Sequence, residues 1–383
     1  MSEVHDLESS ILLFDPQYKE AKVRQASGST NVLNLIYYES VPQAIEVTGP
    51  GTARFVFYAP GAQSVAVAGI GGTMGKQQHP LLPVAEGYWE IQVSGIGSGF
   101  HYLEWYVDGK AVLNPRAAVG YGCFKAMNYL DMPGTDTDFY RLNQVPHGTV
   151  SMNYYESKVT GRTRNCFVYT PPGYESTDKR YPVLYLQHGG GESEMAWVWQ
   201  GHINLIMDNL LAELAAEELI IVMNNGYAFL PDHSEHPSCG ALSDVLVQDC
   251  IPFIDQHYRT LTDRWHRAMA GLSMGGFQTQ RTVMCHPERF AALGLFSAVL
   301  MTEDDTIDYA GQFADPAGFN QTYPLFFVSS GLSEPMCQTN QQTLRTLEAS
   351  GIRSIFFTAP GYHEWQVWRQ SARAFLCLLF KSC

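Results

Sequence analysis

Between Ser40 and about Pro115 apolar and polar residues alternate with a period of two. The runs ARFVFYAP, SVAVAGI, GYWEIQVSG and FHYLEWYVDG carry this pattern, broken by Gly, Pro and Asn. A period of two is that of a strand with one buried face, and short strands between turn residues predict a small antiparallel β-sandwich over residues 40–115. Trp89 and Trp105 lie in these runs. They could form a sugar platform or fill the sandwich; small β domains draw buried area from aromatics, which favours filling. From His147 the rhythm changes. Near-continuous apolar runs (NCFVYTPP, YPVLYLQHG, LIIVMNNG, HRAMAGLS, LGLFSAV, PLFFVSSG and SIFFTAPG) alternate with helical stretches such as INLIMDNLLAELAAE and QQTLRTLEAS. Strands apolar on both faces and separated by helices predict an α/β domain over residues 142–383, its mostly parallel sheet covered on both sides. Residues 116–141, rich in Gly, Asp and Pro, read as a linker, and residues 1–39 as a polar, irregular lead-in. No internal repeat or low-complexity tract is present.

Functional groups in such sheets gather at the carboxyl ends of the strands. There the strand AMAG runs into Gly271-Leu272-Ser273-Met274-Gly275, and a helix-compatible stretch follows. This is a G-x-S-x-G elbow in the strand–turn–helix context that the motif requires, and it predicts the α/β-hydrolase fold. The turn is tight, so a Cβ at either flanking glycine would strike the neighbouring chain. The serine is held at a helix N-terminus, where backbone N–H groups favour negative charge.

A serine hydroxyl needs an adjacent base to become a nucleophile. In this fold the partners follow in the order serine, acid, histidine. Two histidines follow Ser273. His286 closes the nucleophile's own helix, whereas His363 stands in the loop GYHEW after the strand SIFFTAP, and is the predicted base. The acid belongs in the loop after the preceding strand, PLFFVSSG, which makes Glu334 of GLSEPM the candidate over Asp304, Asp305 and Asp308. Acyl transfer also requires two donors aimed at the developing oxyanion. The backbone N–H of Met274 is one. The glycine-rich stretch YLQHGGGESE supplies the other, assigned to Gly190; it lacks the Lys-Ser/Thr ending of a phosphate-binding loop. Trp197, Trp199 and Tyr227 follow strands and could wall an apolar acyl pocket or pack in the core. Asp232, His233, Glu235 and His236 match no zinc spacing, and a serine triad requires neither metal nor cofactor.

Charge narrows the partners. The chain carries a formal net charge of −14 with only 24 Lys and Arg in 383 residues, which disfavours nucleic acid and anionic membranes and suits a weakly charged substrate. The N-terminus shows no secretory signal, and no run approaches the roughly 18 apolar residues that span a bilayer. Its eight cysteines are scattered; Cys166 and Cys285 are expected as buried, reduced thiols, in keeping with a cytoplasmic protein. A homo-oligomer is compatible with the chain.

The segments VPHGTVSMNYYES, VYTPPGYE, YPVLYLQHGGGE, IVMNNGY, GLSMGG and GYHEWQVWR together resemble carbohydrate esterase family 1, which holds feruloyl and acetyl-xylan esterases. Siderophore (enterochelin-type) esterases, S-formylglutathione hydrolases and mycolyltransferases are related. The resemblance covers roughly residues 142–383. It implies a serine esterase acting on a small-molecule or oligosaccharide ester, with Ser273, Glu334 and His363 on the family's triad and Gly190 and Met274 on its oxyanion hole. Many relatives carry Asp where Glu334 stands. The earlier segment RFVFYAP to HYLEWYVDGKAVLNP resembles the family-48 carbohydrate-binding modules that precede some such esterases, which implies a module-like β-sandwich over residues 40–115.

Overall fold

The structure, a computed structural model, describes residues 19–25, 34–40, 42–235, 240–303 and 307–381, the first two stretches as backbone. The chain divides into two compact units: one gathers Asp138 onward together with Tyr121–Lys125, the other the described residues up to Gly120 together with Ala126–Thr137.

The smaller unit is built from two antiparallel sheets. In one, Thr52–Tyr58 pairs with Ile45–Gly49 and with Tyr88–Ser94. In the other, Gly99–Val107 pairs with Val65–Gly69 on one side and Lys125–Met132 on the other. Alternate residues of both sheets, among them Phe55, Phe57, Val67, Leu103 and Trp105, meet in one core. Trp105 is fully buried, with Phe55 edge-on at 6.0 Å and Phe57 tilted at 5.3 Å. Trp89 is half-buried against the same core and donates its indole N–H to the Ala59 carbonyl at 3.1 Å. Both tryptophans fill the domain.

Two sequence expectations are corrected here. Residues 116–141 are no linker, since they hold the strands Val119–Gly122 and Lys125–Met132. The second of these turns Asn128, Leu130 and Met132 inward, so a polar residue at an inward position broke the alternation. Asn128 is satisfied there. Its Oδ1 accepts from Asn114 N–H at 2.8 Å and its amide donates to Asn114 O at 3.0 Å. Removing one side of a buried pair leaves the other unpaired, so Asn128→Ala should destabilise by about 1–3 kcal/mol, read as a lower denaturant midpoint. The lead-in is likewise not wholly irregular: Lys19–Gln25 pairs antiparallel with Asn34–Ser40.

The larger unit carries an eight-stranded sheet. Its strands are β1 (Thr149–Ser157), β2 (Arg162–Thr170), β3 (Val183–Gln187), β4 (Ile220–Asn224), β5 (Arg267–Leu272), β6 (Ala292–Phe296), β7 (Leu325–Gly331) and β8 (Ile355–Ala359). They lie in the order β1-β2-β4-β3-β5-β6-β7-β8, with β1 and β2 antiparallel to their neighbours and the rest parallel. This is the α/β-hydrolase arrangement. Strands β3, β4, β5 and β6 are buried at every position, which explains their near-continuous apolar text. Four helices position the residues considered below: α1 (Ile203–Ala212), α2 (Met274–Cys285), α3 (Pro335–Ala349) and α4 (Trp365–Leu376). Cys166 is buried in β2, but Cys285 is exposed at the end of α2, against expectation: Val283 and Met284 of the same turn take the buried positions and leave Cys285 on the outer side. Among the described residues no helix is long and apolar enough to cross a membrane.

Candidate active site

Ser273 joins β5 to α2 in a conformation that few non-glycine residues adopt, φ 53° and ψ −117°. Such a strained backbone persists only where the surroundings over-determine it. Here the Ser273 N–H donates to Phe296 O on β6 at 2.8 Å, while the flanking glycines let the strand and helix close on each other. A Cβ on Gly271 would stand 2.5 Å from the Gly275 backbone, and one on Gly275 would stand 2.6 Å from the His188 carbonyl. The elbow glycines are therefore sterically required.

His363 lies four residues beyond β8, and its Nε2 is 2.9 Å from Ser273 Oγ. Its Nδ1 is 2.7 Å from Glu334 Oε1. Glu334 is the N-cap residue of α3, its side chain wholly buried, and its second oxygen accepts the Gly331 N–H at 2.6 Å. One carboxylate thus accepts from the turn behind it and from the imidazole in front. That pairing places the ring proton on Nδ1 and leaves Nε2 free to accept from the serine hydroxyl. The backbone there is a tight Gly331–Glu334 turn, closed by Glu334 N–H to Gly331 O at 3.0 Å. His286 sits at the far end of α2, with Glu288 as its neighbour at 3.7 Å. Asp308 caps a short helix through Gly311 N–H, 2.7 Å; Asp304 and Asp305 lie outside the described residues.

The glycine-rich loop after β3 stands beside the serine: a Cβ on Gly189 would come within 3.5 Å of Ser273 Cβ. Its backbone donors are unequally engaged. Gly189 N–H donates to Glu192 Oε2 at 3.1 Å, and Gly191 N–H to the Tyr227 hydroxyl at 2.5 Å. Between them the Gly190 N–H meets no acceptor among the described residues. The same holds for Met274 N–H, which opens α2 and has no intrahelical partner.

Two buried ionisable groups in this loop were not anticipated. His188 gives Nδ1–H to Gly189 O at 2.8 Å and accepts the Gly226 N–H on Nε2 at 2.9 Å. These contacts fix the neutral tautomer, and burial holds its pKa below the ordinary imidazole range. Glu192 is buried and its pKa is pushed up to about 8 by desolvation, partly offset by the Gly189 N–H and the adjoining Trp365 indole. It is therefore largely the neutral acid at pH 7. The sequence clue was the string HGGGE itself, whose glycines drew the attention from the residues flanking them.

Trp197 does not wall a pocket. It is buried, donates its indole N–H to Gln187 O at 2.8 Å, and meets Trp365 edge-on at 5.2 Å. Tyr227 does stand beside the loop. Its backbone turn is held by Arg164, which donates to Tyr227 O at 3.0 Å and to Asn225 O at 2.5 Å, and its ring stacks on the half-exposed Phe229 at 6.3 Å. The polar stretch once weighed as metal ligands folds on itself: Asp232 accepts from Ser234, and Glu235 from Leu230 N–H at 3.0 Å. His236 lies outside the described residues, among which no group of three ligating side chains converges.

The profile of the Esterase family matches residues 157–374. The chain is 33% identical over 348 residues to the endo-1,4-beta-xylanase/feruloyl esterase of Xylanibacter ruminicola, covering 88% of this chain and 46% of that one. It is 30% identical over 183 residues to endo-1,4-beta-xylanase Y of Acetivibrio thermocellus, covering 43% of this chain and 15% of that one. It thus spans less than half the length of either relative. Among solved structures, a ferulic acid esterase superposes with a TM-score of 0.52 at 25% identity, covering 62% of this chain and 98% of that one. The enterobactin esterase of Shigella flexneri shares the fold over 88% of this chain and 95% of its own, TM-score 0.63 at 15% identity. With the profile matched over more than half its residues and the α/β-hydrolase architecture in place, this chain belongs to the Esterase family.

Proposed function

We propose that the protein hydrolyses carboxylic esters through an acyl-enzyme, with Ser273 as nucleophile, His363 as general base and acid, and Glu334 as the carboxylate that orients the imidazole. The observation that carries this reading is the continuous hydrogen-bonded line from Ser273 Oγ through His363 to Glu334, at 2.9 and 2.7 Å. In the first half-reaction His363 Nε2 takes the hydroxyl proton as Oγ attacks the acyl carbon, then returns it to the departing alkoxide. In the second it takes a proton from water, which attacks the acyl-enzyme, and returns it to Oγ as the acid leaves. The N–H groups of Gly190 and Met274 receive the oxyanion in both halves.

The acyl group we assign is hydroxycinnamoyl, of the feruloyl type, on a plant-derived saccharide or a smaller conjugate. The likeness to the endo-1,4-beta-xylanase/feruloyl esterase of Xylanibacter ruminicola supports this choice. So does the stacked Tyr227–Phe229 pair beside the glycine-rich loop, which offers a flat apolar face to a planar acid. Hydrolysis of methyl ferulate, a nitrophenyl acetate and a catecholate triester by wild type and Ser273→Ala tests it. Methyl ferulate is expected to give the highest kcat/KM. A preference for the acetate would support an acetyl-xylan esterase, and one for the triester an enterochelin-type esterase. No turnover above the variant on any of the three, with retained binding of xylo-oligosaccharide, would leave a non-catalytic carbohydrate-binding protein.

A further inference from the structure

The three glycines after β3 would be mobile on their own, since glycine loses more backbone freedom on ordering than any other residue. An oxyanion donor, however, must be aimed before the charge appears, or the reaction has to supply the cost of ordering it. Something must therefore hold Gly190. Its own Cα faces open space, with nothing within 4 Å of where a Cβ would stand. The restraint comes from its neighbours. On one side the Gly189 N–H is taken by Glu192 Oε2 at 3.1 Å, from a buried side chain three residues on. On the other the Gly191 N–H is taken by the Tyr227 hydroxyl, which arrives from the turn after β4. That turn is itself anchored. Arg164 on β2 donates to the carbonyls of Asn225 and Tyr227, and Glu194 accepts from the Asn165 and Asn225 amides at 2.8 and 2.6 Å.

We infer that Glu192 and Tyr227 are positioning residues of the oxyanion hole, occupying the two N–H groups that flank Gly190 and so fixing the direction of the one between them. The inference rests on the assignment of Gly190 and Met274 as oxyanion donors. It also gives Tyr227 a second task beside that of offering its ring to the acyl group. Neither side chain needs to touch the reacting atoms. Their contribution is made to the transition state, because a misaimed donor weakens binding of the tetrahedral oxyanion far more than binding of the ground-state ester.

The test is steady-state kinetics of the full chain on methyl ferulate. Tyr227→Phe deletes one oxygen and keeps the ring. It should lower kcat by about 10-fold, less than outright loss of an oxyanion donor, with KM within about 2-fold. Glu192→Ala should give a similar kcat loss, and Glu192→Gln, whose amide carbonyl can still accept from Gly189, should recover most of it. The inference is overturned if Tyr227→Phe leaves kcat within about 2-fold of wild type, or if its loss falls in KM alone as for a mere pocket wall. Should Glu192→Ala fail to fold in a thermal melt, Tyr227→Phe decides by itself. Ser273→Ala is run alongside. Unchanged turnover in that variant would defeat the serine-esterase reading, whereas its inactivity beside a normal Tyr227→Phe defeats the positioning role alone.

Discussion

His363→Ala is expected to lower kcat on the best ester by about 10⁵- to 10⁶-fold, as much as Ser273→Ala does, and the double variant should lose no more than either single one. The reason is geometric. At 2.9 Å from Ser273 Oγ, the His363 ring is the base in hydrogen-bonding reach of that hydroxyl, so without it the serine must lose its proton to water, and without the serine the ring has nothing to activate. Effects of groups that act as one unit do not add. What survives in each variant is ester binding and the oxyanion donors, which retain a residual acceleration over water. Glu334→Gln should cost about 10⁴-fold while leaving KM little changed, since an amide facing Nδ1 can donate and so stabilise the tautomer whose proton sits on Nε2. Single-turnover measurements decide the matter by separating acylation from product release. If His363→Ala kept more than about 1% of wild-type acylation, the proton would have to travel by another group and the triad assignment would fail.

The sequence and the structure agree most closely where the chemistry is written locally. The elbow is a contiguous string whose two glycines are needed because a Cβ on either would stand 2.5–2.6 Å from neighbouring backbone, so its meaning survives in the sequence alone. Glu334 and His363 were legible for a different reason: each follows a strand of a parallel sheet, and the sheet order brings those strand ends together. Where a side chain's partner comes from a distant segment, the text is silent. Trp197 follows a strand as a pocket residue would, but its indole N–H is claimed by Gln187 O and its ring by Trp365. Nothing near Tyr227 announces that its hydroxyl reaches Gly191, 36 positions away. The strand Lys125–Met132 was lost to view because Asn128 takes an inward place that the period-two pattern reserves for an apolar residue. Its hydrogen bonds to Asn114 make that burial tolerable, and they are invisible until the two segments are side by side. Polar residues at inward positions are thus where reading by pattern breaks down, in the β unit at Asn128 and in the esterase unit at Glu192.

Glu192, beside its expected effect on turnover, carries the second large expected effect, which is on stability. Its carboxyl is buried, and desolvation pushes its pKa in the folded chain to about 8, against 4.5 for an exposed glutamate. The folded state therefore holds a proton that the unfolded chain releases. The sign follows from linkage: below about pH 4.5 both states are protonated and the group contributes no pH dependence, while between about 4.5 and 8 the folded state binds more protons and its stability falls as pH rises. Above about pH 8 both states are ionised and the loss levels off, at most about 5 kcal/mol for a displacement of this size at 1.36 kcal/mol per pH unit. Glu192→Gln keeps the shape and a carbonyl acceptor for Gly189 N–H but has no proton to lose. Relative to wild type, the variant should gain stability steadily from about pH 5 to pH 8 and hold that gain above it. Denaturant unfolding of both proteins at pH 5, 6.5, 8 and 9 reads this directly. A difference that stayed constant across the series would mean that Glu192 titrates alike in the folded and unfolded chains, and that its burial beside Gly189 and Trp365 costs the ionised carboxylate nothing.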